Sequence, residues 1–207
     1  VMEAKAELER CLPRALGVKI QSGTPEAADI VLGNTELTRK QKFYRADLPE
    51  EGFTVAISGG KLFIFGHDGR FTGTLFGVED FLSRELDIAW IWAGKSGEDI
   101  PVRDTLKLTD SVRTDAPGFM TRAMTFNTDP GFLEWARRMK LSNSRAGIFG
   151  GRKMVFGHSW GNHYFNTPAA KEHPEWMALY AGERRPPHLC TSNPELRKFI
   201  AQKAVEA

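Results

Sequence analysis

Residues 156–165 read FGHSWGNHYF and set His158 and His163 five positions apart among Trp160, Asn162 and Tyr164. Three chemistries use such a mixture. A metal site is the first, and the pattern argues against it: His-x4-His in a glycine-rich stretch is not the i, i+4 pair of a metalloprotease helix. No glutamate lies between the histidines, and no cysteine is near to complete a tetrahedral set. No metal and no other cofactor is therefore expected. A sugar pocket is the second, because an indole or phenol face covers the C–H surface of a pyranose while imidazole and amide groups bond its hydroxyls. The third is a packed loop in which a histidine among Phe156, Tyr164 and Phe165 is hydrogen-bonded as part of the fold. The last two both stand on residue types alone.

Glycoside hydrolysis uses an acid and a base or nucleophile, two carboxyl groups about 5 to 9.5 Å apart. None can be assigned. Glu134 falls in a helical stretch, Glu172 and Glu175 lie beside a turn, and Asp129 precedes a proline in the manner of a helix cap.

The elements that must position these residues form two series. In the first, MEAKAELERCLPRALG reads as a helix interrupted or kinked at Pro13, and VKI, ADIVLGN, FTVAIS and KLFIFG read as strands. Gly59 and Gly60 between TVAIS and KLFIF are a strong hairpin signal, because both central positions of a type I′ turn take a positive φ. TLFGVEDFLSREL places Leu75, Val78, Phe81, Leu82 and Leu86 at helical spacing. In DIAWIWAG, Trp90 and Trp92 alternate on an expected strand, and both are assigned to core or interdomain packing.

DAPG at Asp115–Gly118 breaks this pattern and sets a domain boundary, giving 1–116 and 117–207. Beyond it FMTRAMTF is a strand, DPGFLEWARRMKLS a helix with Pro130 in its first turn, and a glycine-rich connection follows. HPEW starts a helical turn at Pro174 over a packed Trp176, Gly182–Arg185 forms an exposed turn, and NPELRKFIAQKAVEA is a helix capped by Asn193. Its apolar residues Leu196, Phe199, Ile200 and Val205 need a surface, and the chain ends there, so it reads as a fragment of a longer protein. Strand and helix in alternation is how a (β/α)8 barrel begins. The fold class is thus α/β: a small α+β sandwich domain followed by the first units of a TIM-type barrel, truncated well short of the about 250 residues a barrel takes.

The 28 lysines and arginines against 26 acids are scattered along the 207 residues, so no footprint for nucleic acid stands out. No apolar run is long enough to span a membrane, and VMEAKAELER has no signal-peptide core, so the protein is cytoplasmic or its leader was removed. Cys11 and Cys190, far apart, suggest neither a disulfide framework nor a metal clamp.

Several motifs resemble known families. GRFTGTLFGVEDFLSRELDIAWIWAG resembles the end of the small domain that precedes the barrel in family 67 α-glucuronidases and family 20 hexosaminidases. RAMTFN, MKLSN, GHSWGNHYF, KEHPEWMALYAGERR and LCTSNPEL resemble the domain-of-unknown-function 4838 family, which is regarded as glycosidase-like. The resemblance implies a carbohydrate partner, an extracytoplasmic or secreted location, and a glycoside hydrolase whose catalytic acids come from later barrel strands outside this chain. It also puts the end of the first barrel strand and the loop near residues 150–165 around the barrel mouth. The substrate-binding candidates are then Arg122, His158, Trp160, Asn162 and His163, Arg122 serving either as a clamp on the ligand or as a brace paired with a nearby acid. The alternative from another class is a non-catalytic carbohydrate-binding protein that keeps the pocket and lacks the acids.

Overall fold

A computed structural model describes residues 1–68, 72–119, 121–124, 130–141, 143–144, 147–148 and 168–206. The chain divides into two compact units, Val1–Lys153 and Met154–Ala207.

The first unit is built on a four-stranded sheet. Strands β1 (Ile30–Leu32), β2 (Phe53–Ser58), β3 (Lys61–Gly66) and β6 (Ser111–Asp115) lie in the order β1-β3-β2-β6. β2 and β3 form the expected hairpin, with Ser58 opposite Lys61 and Gly59 and Gly60 at φ 58° and 77°. β1 runs parallel to β3, and β6 closes the other edge antiparallel to β2. The sequence reading missed β6: SVRTD alternates poorly, and Val112 points to solvent because an edge strand needs only one covered face. VKI forms no strand, and the chain there is irregular.

Alternation sorts the sheet into two faces. Phe53, Val55, Ile57, Leu62 and Ile64 share one core with Leu8 and Leu12 of helix α1 (Met2–Leu16) and with Leu75, Val78 and Leu82 of helix α3 (Gly73–Leu86). Val31, Ala56 and Phe63 point the other way, under Leu37 of the short helix α2 (Glu36–Arg39) and Phe43. α1 runs through Pro13 and ends at Gly17, which takes a left-handed φ of 66°. Asp68 caps α3 from outside, accepting from the backbone N–H of Thr74 at 3.0 Å and from its hydroxyl at 2.6 Å.

The strand expected over DIAWIWAG shrinks to β4 (Ala89–Trp90), paired antiparallel with β5 (Glu98–Asp99). Between them the chain makes a tight loop: the Ile91 N–H donates to the Gly97 carbonyl at 2.7 Å, and Gly97 sits too near the Trp92 carbonyl for any side chain. Leaving the strand changes the fate of one tryptophan. Trp90 is buried in the core, whereas Trp92 is 69% exposed and lies outside it, its ring tilted against Trp135 at 6.1 Å.

Then follow strand β7 (Ala123–Met124), helix α4 (Pro130–Arg138), strand β8 (Asn143–Ser144) and strand β9 (Gly147–Ile148). β7 and β8 pair in parallel, so β7-α4-β8 is a strand-helix-strand crossover, and β9 returns antiparallel beside β8. Asp129, the expected cap of α4, lies outside the described residues.

The second unit holds helix α5 (Pro168–Glu172), a single 3-10 turn at Pro174–Trp176, strand β10 (Met177–Tyr180), strand β11 (Glu183–Leu189) and helix α6 (Pro194–Glu206). β10 and β11 form an antiparallel hairpin whose turn residues Ala181 and Gly182 both take positive φ, 53° and 85°. Asn193 caps α6 as expected, its Oδ1 accepting from the N–H groups of Glu195 at 2.9 Å and Leu196 at 3.1 Å. Leu196 is fully buried while Val205, assigned to the same apolar face, is exposed. No helix among the described residues is long and apolar enough to cross a membrane.

Candidate functional site

Of the five residues singled out for ligand contact, Arg122 can be placed. It precedes β7, and each nitrogen of its guanidinium donates a hydrogen bond. Nη2 donates to both carboxylate oxygens of Glu51, at 3.0 and 2.9 Å, while Nη1 donates to the Phe119 carbonyl and Nε to the Lys140 carbonyl. Glu51 is itself buried, in the turn before β2. The fork therefore ties the start of β7 to the end of α4 and to the sheet, which is the bracing alternative for this residue. His158, Trp160, Asn162 and His163 lie outside the described residues.

A charge network seats α4 against α1. Arg138, nine-tenths buried, donates from Nε to Glu7 at 2.8 Å and from Nη2 to Glu134 at 2.7 Å. Glu7 also accepts from Arg10, whose other nitrogen reaches Glu98, and Glu98 takes the Trp90 indole N–H at 3.1 Å. Burial raises the cost of charge on Glu7, but hydrogen bonds from Arg10 and Arg138 and their positive charges outweigh it and hold the carboxyl below its ordinary range. The Arg138 guanidinium lies over the Trp90 ring at 5.6 Å, and the Trp135 indole N–H bonds the Trp90 carbonyl at 2.9 Å. Each polar atom of this seam so described has an opposite charge or a carbonyl facing it, as buried ions require.

One buried acid in the same region has none. Glu79, in the middle of α3, is 1% exposed, and neither carboxylate oxygen has a hydrogen-bond partner among the described residues. Burial pushes its carboxyl up to about 8; the positive charges of Lys140, Arg137 and Arg138 oppose that rise and Glu7 adds to it. The sequence carried a signal for both acids. Glu79 stands four after Leu75 and three before Leu82, and Glu7 three after Ala4 and four before Cys11, so each falls on an apolar stripe where a charge needs a reason.

In the second unit two of the motifs that carry the family resemblance meet. The Cys190 N–H donates to the Trp176 carbonyl at 2.8 Å, joining HPEW to CTSNP. His173 stacks on the Trp176 ring at 4.3 Å and 10° and hydrogen-bonds Glu175 through Nδ1 at 2.6 Å, and Trp176 packs on Phe199 of α6. The Glu175 carboxyl is held below its ordinary value by that hydrogen bond from His173. Cys190 is lowered by its bond to Ser192 and by Arg184. This is a stapled corner in which the histidine, the tryptophan and the helix support one another. Among the described residues no group of three or more His, Cys, Asp or Glu side chains converges in the manner of a metal site.

The architecture is mixed α/β, and over nearly the whole chain it is similar to a glycoside hydrolase. The likeness is to the structure of a family GH115 4-O-methyl-α-glucuronidase, BtGH115A, described as having specificity for decorated arabinogalactans, with a TM-score of 0.62 and 15% identity. It covers 98% of this chain and 37% of that one, so this chain spans well under half the length of the enzyme it resembles. No curated protein matches the chain. By sequence, the family described as Domain of unknown function (DUF4838) matches residues 92–207, and the chain belongs to that family.

Proposed function

We propose that the chain is part of a glycoside hydrolase that acts on a glycan by carboxylate acid/base chemistry, with its catalytic pair outside these residues. Residues 1–116 serve as an α+β accessory domain of the kind that precedes the barrel in family 20 and 67 enzymes, and 117–207 open a (β/α)8 barrel. The observation that carries this reading is the fold likeness to an α-glucuronidase over 98% of the chain. The parallel β7-α4-β8 crossover supports it, because that unit is the repeat from which such barrels are assembled. In the proposed site His158, Trp160, Asn162 and His163 contact the sugar, and Arg122 is a positioning residue that fixes the first barrel strand. An extracytoplasmic or secreted location is part of this proposal and rests on the family resemblance.

Calorimetric titration of the chain with glucuronic-acid-bearing oligosaccharides tests this. Saturable binding is expected, weakened roughly two- to tenfold by His158→Ala or Asn162→Ala, the worth of one hydrogen bond of about 0.5 to 1.5 kcal/mol. The melting temperature should stay near that of the parent chain and no product should form. Absence of binding would remove the sugar site. Hydrolysis abolished by replacing a carboxylate of this chain would overturn the placement of the catalytic pair.

A further inference from the structure

The last turn of α4 and the turn that follows it bring Arg137, Arg138 and Lys140 toward two buried acids of different helices. Glu7 of α1 is satisfied there by Arg138 at 2.8 Å, whereas Glu79 of α3 is not satisfied by anything among the described residues. The cations have other positions. Lys140 Nζ rests over the Phe76 ring at 5.9 Å, one turn before Glu79 on α3, and Arg137 reaches Glu3 at 3.3 Å with its own Nε buried and unbonded. Lys140 also holds a left-handed φ of 55°, and its carbonyl receives Arg122 Nε. A neutral carboxylic acid tolerates such a place at modest cost; a carboxylate does not, and must be neutralised by a neighbour or exposed to water.

We infer that Glu79 and the basic turn Arg137–Lys140 form a proton-operated latch, which seats α4 on the sandwich while Glu79 is protonated and shifts when it is not. On losing its proton Glu79 draws Lys140 from the Phe76 ring or Arg137 from Glu3, and either movement displaces the backbone that Arg122 grips. The charged groups facing Glu79 are Glu7 on α1, which disfavours the loss, and Lys140, Arg137 and Arg138 from α4, which favour it. With the carboxyl pushed up to about 8, the latch works across neutral to mildly alkaline pH. It is a device of the first unit and does not depend on the substrate proposed above.

Hydrogen exchange of the whole chain, followed by mass spectrometry from pH 6 to 9.5 and corrected for intrinsic amide rates, reads the latch directly. Peptides covering 130–141 should exchange at least tenfold faster above the transition than below it, and in Glu79→Gln, which imitates the protonated form, the corrected rates should be flat. Should Glu79→Gln not fold, Lys140→Met supplies the second arm: removing a cation that favours ionisation should move the midpoint to higher pH. Flat rates in the parent chain, the same acceleration in Glu79→Gln, or an unmoved midpoint in Lys140→Met would each overturn the inference.

Discussion

Arg122 and Glu51, 71 positions apart, form a two-oxygen ion pair at 3.0 and 2.9 Å in which the acid stands at φ 61°. A left-handed backbone is unusual for glutamate and costs on the order of 1 kcal/mol. Here it places a carboxylate in the turn Pro49–Gly52, closed by the Gly52 N–H on the Pro49 carbonyl, where the guanidinium can reach it. The turn alone would prefer glycine at that position; the pair requires the acid. Glu51→Gly should therefore destabilise the chain despite relieving its backbone, because the largely buried Arg122 guanidinium loses the carboxylate that balances its charge. Arg122→Leu should cost about 3 to 5 kcal/mol. The double variant should cost less than the sum, and a coupling under about 0.5 kcal/mol in denaturant unfolding would show the pair to be incidental.

Glu7 gives a prediction at the acid end. Its folded pKa lies below its unfolded value, so the native state binds fewer protons than the unfolded state over the window between the two. The stability it supplies is complete above the unfolded value, near 4.5, and is lost as pH falls through the folded value. Thermal melts of the parent chain should fall as pH drops below about 4.5, and Glu7→Gln should flatten that fall while lowering stability at pH 7 by a few kcal/mol. Parallel acid profiles for the two proteins would show that the Glu7 seam does not titrate as described.

What was legible in the sequence was local. The β2-β3 hairpin followed from Gly59 and Gly60, α3 from its leucine spacing, and the α6 cap from Asn193 before Pro194, because each is decided by neighbours a few positions away. β6 was not legible: an edge strand with one covered face carries little alternation, and its partner β2 is more than fifty positions distant. Neither was the seat of Arg122, since Glu51 looks like any solvated acid in LPEEG until the fold brings it to that guanidinium. Glu7 and Glu79 were not singled out from the sequence; each is a charge on an apolar stripe, but nothing local says that one meets an arginine and the other has no hydrogen-bond partner among the described residues.

Gly66 and Gly73 should prove intolerant of any side chain. A Cβ at Gly66 would lie 2.3 Å from the Gly73 carbonyl carbon, and one at Gly73 would lie 2.4 Å from the Gly52 carbonyl oxygen, all backbone that cannot swing aside. The contact is where the end of β3 meets the start of α3, so the strain cannot be shed locally. Gly73→Ala is expected to cost more than about 2 kcal/mol in urea unfolding, in the upper part of the range of about 1 to 3 kcal/mol for ordinary overpacking or above it. Gly23→Ala, with nothing within 4 Å of its added carbon, is the control and should be near neutral.

Trp90 and Trp92, two apart and alike in sequence, should separate sharply on truncation. Trp90 is buried, bonds Glu98 through its indole, lies beneath Arg138 and gives its carbonyl to Trp135, so Trp90→Ala removes a large buried ring and unpairs part of the charge seam. Its cost should be about 3 to 5 kcal/mol or more. Trp92 stands out on the loop that Gly97 closes, touching Trp135 at a ring separation of 6.1 Å with most of its surface in water. Trp92→Ala should cost about 1 kcal/mol or less, the worth of one tilted aromatic pair. Equal losses in the two variants, measured by the same thermal melt, would mean that the loop does not hold Trp92 out of the core.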